Sequence, residues 1–137
     1  MRTSEQSFAR EIGALEAVFD FLHRFFERAD IDPEVGLSLD FVTEELFTNF
    51  VRHNDATKAE ITIRLREDPE TVSIQLIDPD AEPFDPTSVA DPKVDRPIDE
   101  RRAGGLGIHL SRRMLDELVY DYDDRVMTVT ATKRIPS

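Results

Sequence analysis

Apolar residues near the N-terminus fall at Phe8, Ile12, Leu15, Phe19, Leu22 and Phe26, in steps of four and three, with Val18 and Phe25 widening the stripe. That period predicts a long amphipathic helix. The spacing is also heptad-like, but so few repeats without matched flanking charges fit packing on a sheet better than a coiled coil. A second helix is expected to start at Asp32-Pro33-Glu34, where an acidic cap precedes a proline in the first turn. Its apolar line, Val35, Leu39, Val42 and Leu46, runs on into Asn49 and His53. Glu45, Asn49 and His53 lie four residues apart, so they share one face of that helix.

Beyond the second helix the period changes. Ile61, Ile63 and Leu65 alternate with Thr62, Arg64 and Arg66, the sequence EDPE makes a turn, and Val72, Ile74 and Leu76 alternate again. This predicts an antiparallel hairpin with one buried face. The hairpin ends in IDPDAEPFDP, where acids and prolines stop the strand and set Asp78 and Asp80 at its mouth. Residues 85–102 carry prolines and charges without a period, which reads as a loop of the kind used for lids and binding. Gly104, Gly105 and Gly107 then open into a helix whose apolar face is Ile108, Leu110, Leu115 and Leu118. Val119 to Tyr122, an acidic turn at Asp123 and Asp124, and a strand with Met127, Val129 and Ala131 facing inward complete the pattern.

Composition narrows the chemistry. A chain of 137 residues with 39% hydrophobic content forms one domain with a real core. It has no cysteine and three scattered histidines, which leaves no thiolate chemistry and no ordinary zinc site. No apolar run reaches the roughly 18 residues that span a membrane, and the first residues lack a signal-peptide core. The expected address is cytoplasmic, with no membrane partner. A formal charge of -12 opposes direct binding to nucleic acid. Arg101, Arg102, Arg112 and Arg113 flank the glycines and would draw an anion there against the global field.

Two features could carry function, and each has a plainer reading. The glycines at a helix N-terminus form a phosphate cradle in outline, with free amides and the positive end of the dipole, or they form a simple turn. Neither the P-loop nor the GxGxxG pattern is present. Glu45 and Asn49 supply an acid and a neutral oxygen on one helix face. Alternatively, Glu45 pairs with Arg52 at the surface and Asn49 caps a neighbouring turn.

In chain order, EELFTNFVRH, DPDAEPFDP and GGLGIHLSRRMLDELVY together resemble the ATP-binding domain of the GHKL superfamily, which includes gyrase B and sensor histidine kinases. The resemblance covers nearly the whole chain and is greatest for the bacterial anti-sigma factor serine/threonine kinases of the RsbW type. It implies an α/β sandwich, also described as α+β, spanning residues 1–137, with helices on one face of a mixed, mostly antiparallel sheet and an ATP lid at about 85–103. By this resemblance Glu45 is the catalytic glutamate, acting as base, Asn49 the Mg2+ ligand and Asp78 the acceptor for adenine's amino group. The loop of Gly104, Gly105, Leu106 and Gly107 would hold the phosphates, with Arg102 near the terminal one. Where the family has aspartate, one residue, then glycine, this chain has Asp78-Pro79-Asp80-Ala81. Asp80, or Ala81 if Pro79 is an insertion, therefore stands at the nucleotide's approach. The implied cofactors are ATP and Mg2+. The implied partners are a sigma factor and an anti-anti-sigma protein of the STAS type, in partner switching. A homodimer is also implied, with Phe8, Phe19 and the N-terminal helix face as its candidate surface. The alternative function is a noncatalytic anti-sigma or regulator-binding module with weak or no ATP binding.

Overall fold

A computed structural model describes residues 2–53, 57–81 and 113–136 of the chain. In sequence order the elements are strand β1 (Arg2–Phe8), a single 3-10 turn (Ile12–Ala14), helix α1 (Leu15–Ala29), helix α2 (Pro33–His53), and strands β2 (Ile61–Glu67), β3 (Thr71–Asp78), β4 (Glu117–Asp123) and β5 (Val126–Arg134). The strands form one sheet in the order β1-β2-β3-β5-β4, and each of its four pairings is antiparallel.

The alternation in β2, β3 and β5 places Ile61, Ile63, Leu65, Val72, Ile74, Leu76, Met127, Val129 and Ala131 on one face, all buried. Both helices pack on that face. Their contribution is Val18, Phe21, Leu22 and Phe25 from α1, and Val35, Leu39, Val42, Leu46, Phe47 and Phe50 from α2. The other face is polar and cross-linked along its rows. Arg64 donates to Glu5 at 2.7 Å and to Gln75 at 3.1 Å, and Gln75 donates to Thr130 at 3.1 Å. This is the expected sandwich of helices on one side of a sheet.

The N-terminal expectation is corrected. The long helix from Phe8 is instead a strand, a turn and a helix that begins at Leu15. Six of the seven β1 residues are polar, so the strand carries no hydrophobic alternation and is held by its backbone ladder to β2, from Arg2↔Glu67 to Phe8↔Ile61. Phe8 is buried, edge-to-face with Phe21 at 5.6 Å between ring centroids. It belongs to the core and not to an outward dimer face. Ile12, counted into the apolar stripe, is 48% exposed because it lies in the turn. A second correction concerns the glycine-led helix: Leu118 lies within β4, and helical backbone is described only for Arg113 and Met114. Leu115 and Leu118 still pack on the core, so their spacing fits the helix pattern while their backbone does not.

The element ends have local causes. Asp32 Oδ1 accepts from the backbone N–H of Glu34 at 2.9 Å and of Val35 at 3.4 Å, capping α2 as its sequence predicts. Helix α1 ends on Asp30 in the left-handed region, φ 53°, with Ile31 N–H bonded to Phe26 O at 2.9 Å. In the β2–β3 turn, Asp68 accepts from the N–H groups of Glu70 and Thr71 and from the Thr71 hydroxyl. The β4–β5 hairpin turns on Asp124 and Arg125, both with positive φ, as a two-residue turn between twisted strands requires.

Candidate functional site

Helix α2 positions the first pair of candidate residues. Its buried stripe docks on the sheet and leaves Glu45 half-buried at the edge of the contact, with Asn49 one turn further on, 5% exposed. Burial raises the Glu45 carboxyl above its ordinary value, the neighbouring Glu44 charge adds to this, and Arg52 pulls the other way. Arg52 therefore acts on Glu45 through space, but the largest influence is loss of water. Thr43, on the same helix, is fully buried and returns its hydroxyl to Leu39 O at 2.7 Å, so it brings no free polar group to the site. The side chain of His53 lies outside the described residues.

Asp78, the last residue of β3, is also buried, and its carboxylate is bound on both oxygens. Arg10 Nη2 donates to Oδ1 at 2.5 Å and Nη1 donates to Oδ2 at 3.0 Å, with both side chains 2% exposed. The guanidinium also donates to Ala59 O at 3.0 Å and to Phe50 O at 3.2 Å. One cation thus joins the end of β1, the end of α2, the approach to β2 and the end of β3. A bidentate pair of this kind fixes a carboxylate in orientation as well as charge.

Asp80 is placed differently from its sequence neighbour. Its backbone N–H donates to Asp78 Oδ1 at 3.1 Å, while its side chain turns outward and accepts from Arg125 Nε at 2.6 Å. Hydrogen bonds from Thr57 and then Arg125 hold its carboxyl below the ordinary range. Ala81 is buried, donates its N–H to Arg125 O at 2.7 Å and accepts from the Tyr122 hydroxyl at 2.9 Å. Asp80 and Ala81 are therefore stitched to the tip of the β4–β5 hairpin.

The sequence profile of the histidine kinase-like ATPase domain matches residues 8–133. The chain belongs to this family. No curated protein matches it in sequence. Among solved structures, the RsbU and RsbW domains of Rv1364c from Mycobacterium tuberculosis superpose with a TM-score of 0.71 at 16% identity, covering 98% of this chain and 33% of that one. The chain thus spans about a third of that larger protein. The SiaB–SiaC complex from Pseudomonas aeruginosa gives a TM-score of 0.67 at 14% identity, covering 94% of this chain and 88% of that one. At these identities the likeness is one of fold.

The structure of this histidine kinase-like ATPase domain joins Arg10, the Phe50 carbonyl and Asp78 through the Arg10 hydrogen bonds, with Asn49 the residue before Phe50 on α2. Arg102, Gly104, Gly105, Leu106 and Gly107, together with the expected lid at 85–103, lie outside the described residues. Among the described residues no group of three or more His, Cys, Asp or Glu side chains is placed to hold a metal, and no helix is long and apolar enough to cross a membrane. A site with one amide oxygen nevertheless suits Mg2+, which takes few protein ligands and completes its shell with phosphate and water. Sequence reasoning missed Arg10, Thr57 and Arg125. The partners of Arg10 lie 40, 49 and 68 residues away, beyond any periodicity.

Proposed function

We propose that this chain is a partner-switching anti-sigma regulator of the RsbW type that binds Mg-ATP and phosphorylates a serine or threonine of an anti-anti-sigma protein. The observation that carries this reading is the pairing of a partly desolvated Glu45 with Asn49 on one face of α2, within a histidine kinase-like ATPase domain. The structural likeness to an RsbW domain and to SiaB in its complex with SiaC supports the choice of branch.

In this mechanism Asp78 accepts a hydrogen bond from adenine's amino group, and the glycines at 104, 105 and 107, with Arg102, hold the phosphates. Asn49 would supply its amide oxygen to Mg2+, which when bound would neutralise charge on the phosphate oxygens. Glu45 receives the proton of the attacking hydroxyl as the new bond to the γ-phosphorus forms. The bond from that phosphorus to the bridging oxygen breaks and ADP leaves. Phosphoryl transfer needs mainly positioning and charge neutralisation, and a carboxylate poised by burial suits the proton acceptor.

Calorimetric titration with Mg-ATP, beside transfer of labelled phosphate to a candidate anti-anti-sigma protein, tests both halves. Asn49→Ala is expected to weaken Mg-ATP binding and to leave the smaller metal-free affinity unchanged. Equal affinities for parent and variant in both conditions would remove Asn49 from the site. A second reading, a noncatalytic module that holds a sigma factor by its surface, is favoured by Asp80 and the buried Ala81 standing where the family has glycine. It expects partner binding without measurable transfer.

A further inference from the structure

A carboxylate has about four lone-pair sites. On Asp78, Arg10 occupies one on each oxygen and the Asp80 amide occupies a second on Oδ1, which leaves one on Oδ2. The group is buried, so bulk water does not compete freely for that last site. Arg10 uses four of its five N–H donors in turn, because its other bonds go to the Phe50 and Ala59 carbonyls. Such a guanidinium is not poised to swing away. It is a fixed strut with the carboxylate at one end and the last turns of α2 at the other.

We propose that Arg10 is a positioning residue for recognition of the nucleotide base, holding Asp78 as a charged acceptor with a single open lone pair directed by the bidentate pair. This rests on the ATP-binding reading above and deepens it. An acceptor fixed in this state selects a base with an amino donor and rejects one with a carbonyl oxygen at the same place, because two lone pairs then face each other. Without the guanidinium nothing holds the plane of the carboxylate, so its open lone pair is no longer aimed at one place and that distinction is lost. The same strut sets the distance between Asp78 and the helix carrying Asn49, so base and metal ends of the nucleotide are registered by one side chain.

The test compares ATP with inosine triphosphate, which carries a carbonyl in place of the amino group, in Mg2+ buffer by calorimetry. The full chain is used as parent, Arg10→Met and Arg10→Lys, each checked for folding by its thermal melt. The parent is expected to prefer ATP by about tenfold or more, the usual size of a hydrogen bond to a charged group. Arg10→Met is expected to lose most of that preference while keeping its affinity for inosine triphosphate. Arg10→Lys, with a charge but only one nitrogen, falls between them. A loss of both affinities in the same proportion would make Arg10 merely structural and overturn the proposal. If Arg10→Met does not fold, Arg10→Lys decides alone: a lowered preference supports the role and an unchanged one overturns it. A folded parent that binds neither nucleotide overturns the ATP-binding reading itself. A parent that binds both while the variants keep its preference overturns only the role of Arg10.

Discussion

Glu45 in the middle of α2 and Asp78 at the end of β3 are both carboxylates drawn from water, yet the protein treats them in opposite ways. Asp78 is the more deeply buried and is met by a guanidinium on both oxygens. Glu45 is only half-buried, and its nearest charge influences are Glu44 and Arg52, acting in opposite senses. The deeper group is compensated and fixed, whereas the shallower one is left under tension toward its protonated form. Depth therefore does not rank the two for chemistry; the partner does. A fixed acceptor recognises, while a carboxylate that gains from a proton can take one.

The sharpest way to break this comparison is at Glu45. Glu45→Gln is expected to lower phosphate transfer by about 10² to 10⁴-fold while ATP binding persists, measured by labelled transfer beside calorimetry. A fully active variant would take Glu45 out of the mechanism and leave the contrast without functional content.

The next effect is on stability. Arg10→Met leaves Asp78 as a buried charge without its partner and is expected to cost about 3 to 5 kcal/mol in a denaturant titration. Glu45→Gln should do the reverse on a smaller scale. The folded protein holds the Glu45 proton more tightly than the unfolded chain does, so this group's contribution is fully present below the unfolded value and is lost as pH rises through the folded one. At neutral pH the glutamine variant is expected to be no less stable than the parent. A large loss in that variant, or none in Arg10→Met, would show that burial is compensated differently from the way the bond lengths describe.

The shallower carboxylate can also be tuned. Transfer that depends on ionised Glu45 should fall as pH is lowered, with its acid limb above the ordinary glutamate range. Glu44→Gln removes one of the raising influences and should move that limb to lower pH, and Arg52→Gln should move it to higher pH. Rate profiles of the three proteins, run alongside melts, separate this from unfolding.

Much of this frame was legible in the sequence, and the reasons it stopped are physical. The Asp32 cap, the α2 stripe, the β2–β3 hairpin and the inward face of β5 follow from periodicity and turn chemistry, which are local. Strand β1 was not legible because a polar edge strand has no apolar alternation to display. Phe8 then joined the next helix by an accident of spacing. The shared helix face of Glu45 and Asn49 was legible because one helix carries both. The contacts of Arg10 were not, since they reach three segments that only the fold assembles. Asp80 illustrates the same limit, because its sequence suggested a charge in the approach to the nucleotide, whereas its side chain is drawn outward by Arg125 and Thr57.

The smallest expected effect lies away from both carboxylates and serves as a control on them. Asp30 ends α1 with φ 53°, where glycine is unstrained. Asp30→Gly is expected to stabilise the fold by about 0.5 kcal/mol and to leave ATP binding, transfer and base preference untouched. A change in base preference in that variant would mean that general stability, and not Arg10, sets the readout.

The strand order has a consequence for how the chain acquires its shape during synthesis. Strand β5 sits between β3 and β4, so β4 leaves the ribosome before β5 but reaches the sheet only through it. The meander of β1, β2 and β3 can close early, yet the inner edge of β3 stays open until the residues up to Arg134 have emerged. During that interval a nascent chain exposes an unpaired strand flanked by apolar surface, which makes it a client for holding chaperones and sensitive to stalling just before β5. A ribosome paused there would carry half a sheet with its central seam still to be sewn.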